Sequence, residues 1–150
     1  MATDLRRGRR LGIDYGDVRV GISVSDLEAI LVSPLITLKN DDDLLTNIDA
    51  IVTENQPIYI ALGSPIHLSG ASGSKSLAVQ EFATRLKNLV PTDIFLIDER
   101  LTTTSAQNQL REVGKSSRES KEIIDQIAAV NILNQALLLE RSENGLGNPL

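Results

Sequence analysis

The sequence predicts a single α/β domain built on a mixed five-stranded sheet with helices packed on it. Three observations predict this fold: an opening region that alternates polar and apolar residues, two later apolar runs that each follow a helical pattern, and a length of 150 residues, which suits one domain. Strands joined by tight turns pair antiparallel, whereas short buried strands that follow helices pair parallel. The predicted order is therefore a three-strand antiparallel meander, then helix, strand, helix and strand, and finally two helices.

The first three predicted strands form the meander. Residues 11–15 give a short apolar strand, and residues 18–24 alternate strictly, with valine or isoleucine at 18, 20, 22 and 24 on one face. Residues 30–38 give a third extended run, which Pro34 interrupts. Because proline has no N–H to donate to a neighbouring strand, the third strand is predicted to lie at an edge of the sheet.

Helical and strand patterns alternate through the rest of the chain. We predict helices over 44–52, 77–90, 103–113 and 123–140, and buried strands over 58–62 and 94–97. The domain itself is predicted over 11–140, with a flexible basic lead-in at 1–10 and a polar tail at 141–150.

Composition excludes several classes of protein. Fifteen Lys and Arg against twenty Asp and Glu give a net charge of −5, so the chain is not a strongly basic protein that coats nucleic-acid phosphates. Aromatic residues make up 3%, too few for a platform of stacked bases. Cysteine is absent, which removes thiol nucleophiles, disulfides and cysteine-bound zinc. No apolar run approaches about 18 residues and no signal-like segment follows the basic start, so we expect a cytoplasmic protein without membrane contact.

Carboxylates inside apolar elements are the candidates for chemistry, because burying a charge is costly unless something compensates it. Asp14 interrupts the first strand, Asp98 and Glu99 close the last strand, and Asp125 lies on an apolar face of the final helix. Each has a plain structural interpretation: a turn, a solvated strand end and a favourable charge near a helix N-terminus. If they converge at one end of the sheet, they suit one or two hard divalent cations, which can activate water for phosphodiester hydrolysis.

Other chemistry finds little support in the sequence. His67, the single histidine, lies in a Gly- and Ser-rich loop over 63–76, which lacks both a nucleophile-elbow pattern and the lysine signature of a nucleotide P-loop. The basic residues near the candidate carboxylates are either solubilising charges or contacts to substrate phosphates. These basic residues are Arg19, Arg100, Lys115, Arg118 and Lys121.

Three blocks of the sequence resemble one known family. They are Gly12-Ile13-Asp14-Tyr15-Gly16 with Arg19-Val20-Gly21, then Asp98-Glu99-Arg100-Leu101-Thr102-Thr103, then Asp125-Gln126-Ile127-Ala128-Ala129. In this order and spacing, over residues 11–139, the chain resembles the YqgF (RuvX) family of Holliday-junction-resolvase-like proteins, described as pre-16S rRNA nucleases. Two features depart from the family pattern: the loop reads Gly63-Ser64-Pro65, and the basic segment Lys115–Glu122 is diluted by glutamate.

The resemblance implies a ribonuclease H-like fold, in agreement with the predicted strand order. It also implies that Asp14, Glu99 and Asp125 are the acidic catalytic set, which binds Mg²⁺ or Mn²⁺. In this interpretation the five basic residues contact substrate phosphates. Whether Asp98 assists Glu99 stays open, because strand alternation sends neighbouring side chains to opposite faces.

The function predicted on this basis is metal-dependent hydrolysis of structured RNA, at the 5′ end of precursor 16S rRNA. A four-way DNA junction is the alternative substrate, and it requires a dimer because two opposed strands must be cut. A non-catalytic nucleic-acid-binding or regulatory module on the same fold is the alternative from another class. An actin-like ATPase, which shares the Asp-x-Gly turn, needs two lobes and is disfavoured by the chain length. Expected partners are precursor rRNA, branched DNA or ribosomal precursor particles, with the protein a monomer or a weak homodimer.

Overall fold

The described part of the chain folds as a mixed five-stranded sheet with helices on both faces. This computed structural model describes residues 6–65, 74–99, 118–143 and 145–150. The strands are β1 (Arg10–Tyr15), β2 (Arg19–Ser25), β3 (Val32–Lys39), β4 (Tyr59–Ser64) and β5 (Asp93–Asp98). The described helices are α1 (Leu44–Asn55), α2 (Ser74–Leu89) and α3 (Arg118–Arg141). The helix predicted over 103–113 and loop residues 66–73 lie outside the described residues.

The strand order confirms the predicted topology. Along the sheet the order is β3-β2-β1-β4-β5. Antiparallel pairing joins β1 to β2 and β2 to β3, whereas β4 pairs parallel with both β1 and β5. The parallel strands β4 and β5 follow the crossover helices α1 and α2, as parallel pairing requires. The last residues of β1, β4 and β5 therefore lie together, at what we call the carboxyl end of the sheet.

The position of β3 at an edge of the sheet confirms the prediction made from Pro34. The ladder to β2 shifts between Ile22 and Ser23, so that Leu35 is an additional residue between the register pairs Ile22–Ile36 and Ser23–Pro34. A bulge and a proline both interrupt the row of hydrogen-bonding groups that an edge strand presents. The outer side of β3 is thereby a poor template for a further strand.

The two faces of the sheet carry separate apolar cores. One core lies under α1 and α2 and includes Ile13 of β1 and Ile22 of β2. The other core lies under α3 and consists of Tyr59, Ala61, Phe95, Ile97, Ile132, Leu133 and Ala136. Because strand residues alternate between faces, residues 12 and 14 of β1 lie on the α3 face, opposite to Ile13.

Several element boundaries differ from the predicted ones. Val18 alternates with the apolar residues of β2, but it precedes the strand and is 66% exposed. β3 begins two residues later than predicted, because the Asp26 carboxylate accepts hydrogen bonds from the backbone N–H groups of Ile30 and Leu31 and holds a turn there. α3 begins at Arg118, five residues before the predicted start. Its first turns are polar, so the apolar period that locates a helix in a sequence does not extend over them.

A buried ion pair joins the start of β1 to the end of α3. Arg10 is fully buried, and its Nε and Nη2 donate to the two Glu140 carboxylate oxygens at 3.2 and 2.7 Å. The Tyr59 hydroxyl donates to Glu140 Oε1 at 2.8 Å, and burial together with this carboxylate raises the pKa of Tyr59 far above its ordinary value. Arg10 is also the first residue of β1, so the strand begins one residue earlier than predicted. The division of the chain into a lead-in at 1–10, a domain at 11–140 and a tail at 141–150 stays a prediction.

The apolar character of α3 is explained by its packing. By length and composition alone, the segment Ile123–Arg141 could cross a membrane. The helix lies against the sheet, however, and Ala129, Ile132 and Leu133 are fully buried in that contact. We therefore interpret α3 as the helix that closes the second core.

Candidate active site

Three glycines on the α3 face let α3 lie close to the strands. Gly12 is on β1, Gly21 on β2 and Gly63 on β4. A Cβ at Gly12 would lie 2.7 Å from a carbonyl oxygen of α3, and one at Gly21 would lie 2.2 Å from the Asp125 carbonyl oxygen. At Gly63 the nearest atom would be Ile132 Cδ1, at 2.4 Å. At Gly12 and Gly21 the obstructing atoms include the backbone of α3, so only a residue without a Cβ fits there, and these two glycines set how closely α3, and with it Asp125, approaches the sheet.

Asp14, the fifth residue of β1, lies on the α3 face at the carboxyl end of the sheet. It alternates with Ile13, whose side chain belongs to the opposite core. Its register partner on β2 is Gly21, the glycine that contacts the backbone of Asp125. The first and last of the three predicted ligands are therefore on elements in direct contact.

Glu99 follows β5 and also lies on the α3 face. Its side chain is over Gly63, where a Cβ would lie 2.8 Å from Glu99 Oε1. Leu62 is the register partner of Ile13, so Gly63 and Asp14 are the next residues along two neighbouring parallel strands. Glu99 is 7% exposed and is thus a nearly buried carboxylate beside the strand that carries Asp14.

Asp98 lies on the opposite face from Glu99. It is the last residue of β5 and alternates with Ile97, a member of the core under α3. Its register partner at the end of β4 is Ser64. Of the two adjacent carboxylates, Glu99 is the one on the side of α3, because Asp98 alternates with Ile97 and its side chain therefore points to the other face.

An ion pair joins Asp125 of α3 to Arg19 of β2. Arg19, the first residue of β2, donates its Nε to Asp125 Oδ2 at 2.9 Å. The two side chains are 26% and 19% exposed, respectively, so the pair is largely shielded from water. Arg19 precedes Gly21 by two residues and shares its face, which directs the guanidinium towards α3.

Two further hydrogen bonds fasten α3 to β2 and β3. The Ser23 hydroxyl donates to the Ala129 carbonyl oxygen at 2.7 Å, and the Gln126 amide donates to Thr37 Oγ1 at 3.0 Å. The Ser23 bond is buried, and a buried hydroxyl left without an acceptor is costly, so it favours one placement of the helix. Together with the glycine contacts, these bonds fix the height and the rotation of α3 over the sheet.

The chemistry of the donor set fits a divalent cation. Asp14, Glu99 and Asp125 offer only carboxylate oxygens, the ligands that Mg²⁺ and Mn²⁺ prefer, and all three belong to the α3 side of the carboxyl end. Within residues 6–65, 74–99, 118–143 and 145–150, no three Asp, Glu, His or Cys side chains gather closely enough to hold one metal ion. The strands and the helix that carry the three carboxylates nevertheless contact one another. The Asp125 side chain itself is hydrogen-bonded to Arg19.

Arg19 is the one predicted phosphate contact whose side chain is described. Arg118 and Lys121 lie in the first turn of α3, and their side chains are outside the described residues. Arg100 and Lys115 lie outside the described residues altogether. The assignment of these four residues to phosphate binding stays a prediction.

The structure adds a basic residue that sequence reasoning missed. Lys39, the last residue of β3, is the register partner of Arg19 and is exposed. Both residues line an open pocket of about 510 Å³ at the end of the β2–β3 pair, and Asp17 and Asp41 line it as well. The sequence offered no signal for this pairing, because the register of β3 depends on the bulge at Leu35.

The arrangement of sheet and helices has a counterpart among known structures. The structure titled "T. thermophilus RuvC in complex with Holliday junction substrate" matches with a TM-score of 0.62 over 95% of this chain and 99% of that chain. Sequence identity is 13%, so this likeness shows the fold, and it confirms the predicted ribonuclease H-like fold.

Curated relatives are similar over nearly their whole length. A protein of Streptomyces avermitilis is 40% identical over 140 residues, which cover 91% of this chain and 90% of the relative. A protein of Mycobacteroides abscessus is 43% identical over 138 residues, covering 89% of this chain and 83% of the relative. Both carry the name "Putative pre-16S rRNA nuclease".

Together, the fold and these relatives define the class of protein as a nuclease of ribonuclease H-like fold, which binds nucleic acid. Residues 8–138 match the RuvX family, described as Holliday junction resolvase. The chain belongs to the RuvX family, which confirms the resemblance seen in its three sequence blocks.

Proposed function

We propose that this protein hydrolyses phosphodiester bonds of structured RNA with the help of a divalent cation, and that its substrate is the 5′ end of precursor 16S rRNA. The observation that carries the proposal is the placement of Asp14, Glu99 and the Asp125-bearing helix on one face, at one end of the sheet. The names of the Streptomyces and Mycobacteroides relatives support the choice of substrate.

In this mechanism the chain's own residues hold the cation and position the RNA. Asp14, Glu99 and Asp125 would hold Mg²⁺ or Mn²⁺. When bound, the cation supplies activation of a water molecule and stabilisation of the leaving oxygen. Arg19 and Lys39, side by side at the ends of β2 and β3, would bind the non-bridging oxygens of substrate phosphates. The reaction needs no covalent enzyme intermediate, because the carboxylates act as ligands.

The test is cleavage of an end-labelled precursor 16S rRNA fragment by the wild-type protein and by Asp14→Asn, with Mn²⁺, Mg²⁺ or EDTA. We expect cation-dependent cleavage that is lost in Asp14→Asn, while thermal melting shows that the variant stays folded. Asp93→Asn is the matched control: Asp93 is exposed and lies at the start of β5, at the opposite end of the sheet. Undiminished cleavage by Asp14→Asn would refute the assignment of the cation site.

A four-way DNA junction is the second candidate substrate, and the description of the RuvX family favours it. Junction resolution requires two active sites on opposed strands, so it predicts a dimer at working concentration. A labelled four-way junction run beside the RNA, together with the mass measured by sedimentation, separates the two. Binding of either substrate without cation-dependent cleavage would instead favour a non-catalytic binding module.

A further inference from the structure

Arg19 occupies the carboxylate that the proposed cation site needs. The Arg19 Nε donates to Asp125 Oδ2 at 2.9 Å in a largely shielded ion pair. Among the residues that the structure describes, no group of three acidic side chains is close enough to hold an ion. The Asp14 strand and the α3 backbone nevertheless meet at Gly21, where a Cβ would lie 2.2 Å from the Asp125 carbonyl oxygen. The backbones of β2 and α3 are thus already in contact, and the Asp125 carboxylate is directed to Arg19.

We propose that Arg19 and the divalent cation compete for Asp125, so that cation binding releases Arg19 from α3. This inference rests on the proposed function, because it takes Asp125 as a ligand. Like charges repel, so a cation held by Asp125 destabilises the neighbouring guanidinium and weakens its bond to the same carboxylate. Arg19 is thus a positioning residue in the cation-free protein: it neutralises Asp125 and keeps its side chain at one place on the α3 face.

The register of the sheet gives the released guanidinium a function. Lys39 is the cross-strand partner of Arg19, and two cations directly opposite each other are unfavourable unless an anion compensates them. In the cation-free protein Asp125 supplies that compensation. Arg19 and Lys39 both line the open pocket, together with Asp17 and Asp41. After the exchange, a substrate phosphate replaces Asp125 as the anion that Arg19 binds. Cation binding therefore precedes full engagement of the RNA phosphate backbone.

Cation affinity tests the competition directly. Isothermal titration with Mn²⁺ compares the wild-type protein, Arg19→Gln, Asp14→Asn and the control Arg85→Gln, which removes an exposed arginine paired with Glu81 on α2. Because Arg19→Gln removes the competitor, we expect it to bind Mn²⁺ roughly three- to tenfold more tightly than the wild type. Arg85→Gln should match the wild type. Affinity in Arg19→Gln that is unchanged or weaker would overturn the proposal.

Nuclear magnetic resonance observes the exchange itself. The Arg19 Nε–Hε signal, identified by its loss in Arg19→Lys, should be shielded from solvent exchange in EDTA and should shift and become labile with Mg²⁺. A signal that stays shielded at saturating Mg²⁺ would mean that Arg19 remains on Asp125, which overturns the proposal.

The design separates failure of this inference from failure of the proposed function. If Mn²⁺ binding is absent, or is equal in the wild type and Asp14→Asn, the proposed cation site is wrong and the competition falls with it. If Asp14→Asn loses Mn²⁺ binding while Arg19→Gln behaves like the wild type, the cation site stands and only the competition is wrong.

Discussion

A methyl group at Gly21 tests how the fold positions the candidate site. In Gly21→Ala the new Cβ would lie 2.2 Å from the Asp125 carbonyl oxygen and 2.5 Å from its carbonyl carbon. Ordinary van der Waals contact begins at 3.4 Å, so α3 must move away from β2 by about 1.2 Å. The obstructing atoms belong to the backbone of a helix that is hydrogen-bonded to β2 and β3, and they cannot rotate away as a flexible side chain would.

The expected cost is that of overpacking a close-fitting interface. Insertion of a methyl group at such a site costs about 1–3 kcal/mol of unfolding free energy. For a chain of this length each kcal/mol corresponds to a decrease in melting temperature of about 2–4 °C, so we expect Gly21→Ala to melt several degrees below the wild type. The same displacement moves Asp125 away from Asp14, so cleavage should fall further than the loss of folded protein explains.

The assay is thermal and urea unfolding monitored by circular dichroism, with cleavage measured in parallel at a temperature where the variant is fully folded. Gly145→Ala is the matched control, because a Cβ there meets nothing within 4 Å. Gly145 has a φ of 65°, where alanine carries a conformational cost of about 1–2 kcal/mol, so the control is expected to lose stability but to keep its cleavage activity. A Gly21→Ala protein as stable and as active as the wild type would refute the idea that this glycine sets the height of α3.

Three further predictions concern charge. Arg10→Met leaves the Glu140 carboxylate largely buried without its guanidinium and should cost about 3 kcal/mol in urea unfolding, whereas Arg7→Met, which removes an exposed ion pair, should cost less than about 1 kcal/mol. Because the pKa of Tyr59 is raised in the folded protein, Tyr59 contributes stability that is fully present below about pH 10, the pKa of an unfolded tyrosine, and that is lost as the pH rises above this value. The urea midpoint of the wild type should therefore fall above pH 10, and that of Tyr59→Phe should fall less. Lys39→Gln should weaken RNA binding and reduce the slope of log affinity against log salt by about one phosphate contact, and an unchanged slope would exclude Lys39 from the phosphate path.

The order and pairing of the strands could be predicted from the sequence because their signals are local. Alternation over residues 18–24 and the apolar runs before and after helical patterns are properties of short segments. Connections between strands are short, and parallel crossovers are right-handed, so there are few ways to join these segments into a sheet. Pro34 likewise predicted an edge strand, since a missing N–H has the same consequence wherever the strand lies. Boundaries were less predictable: Val18 and Arg118 lie where side-chain periodicity and backbone hydrogen bonding disagree.

The candidate carboxylates could be found from the sequence, but their relations could not. Asp14, the pair Asp98 and Glu99, and Asp125 stand out because a charge inside or at the end of an apolar run demands an explanation, and the family resemblance selects Glu99 from the pair. Which of Asp98 and Glu99 faces α3 depends on which face of β5 packs against that helix, and the neighbour of Arg19 depends on a bulge in β3. Packing and register are properties of two elements together, so no single segment of sequence contains them.

The sequence by itself determined which chemical groups this protein has: carboxylates within or next to apolar elements, no cysteine, and a family pattern that selects Asp14, Glu99 and Asp125. Only the tertiary structure decided that Asp125 is held by Arg19, that Lys39 lies beside that arginine, and that Gly12 and Gly21 bring α3 onto the strands. The physical reason is that residue type fixes what an atom can bind, whereas contacts between residues 106 positions apart arise only when packing and strand register bring their elements together.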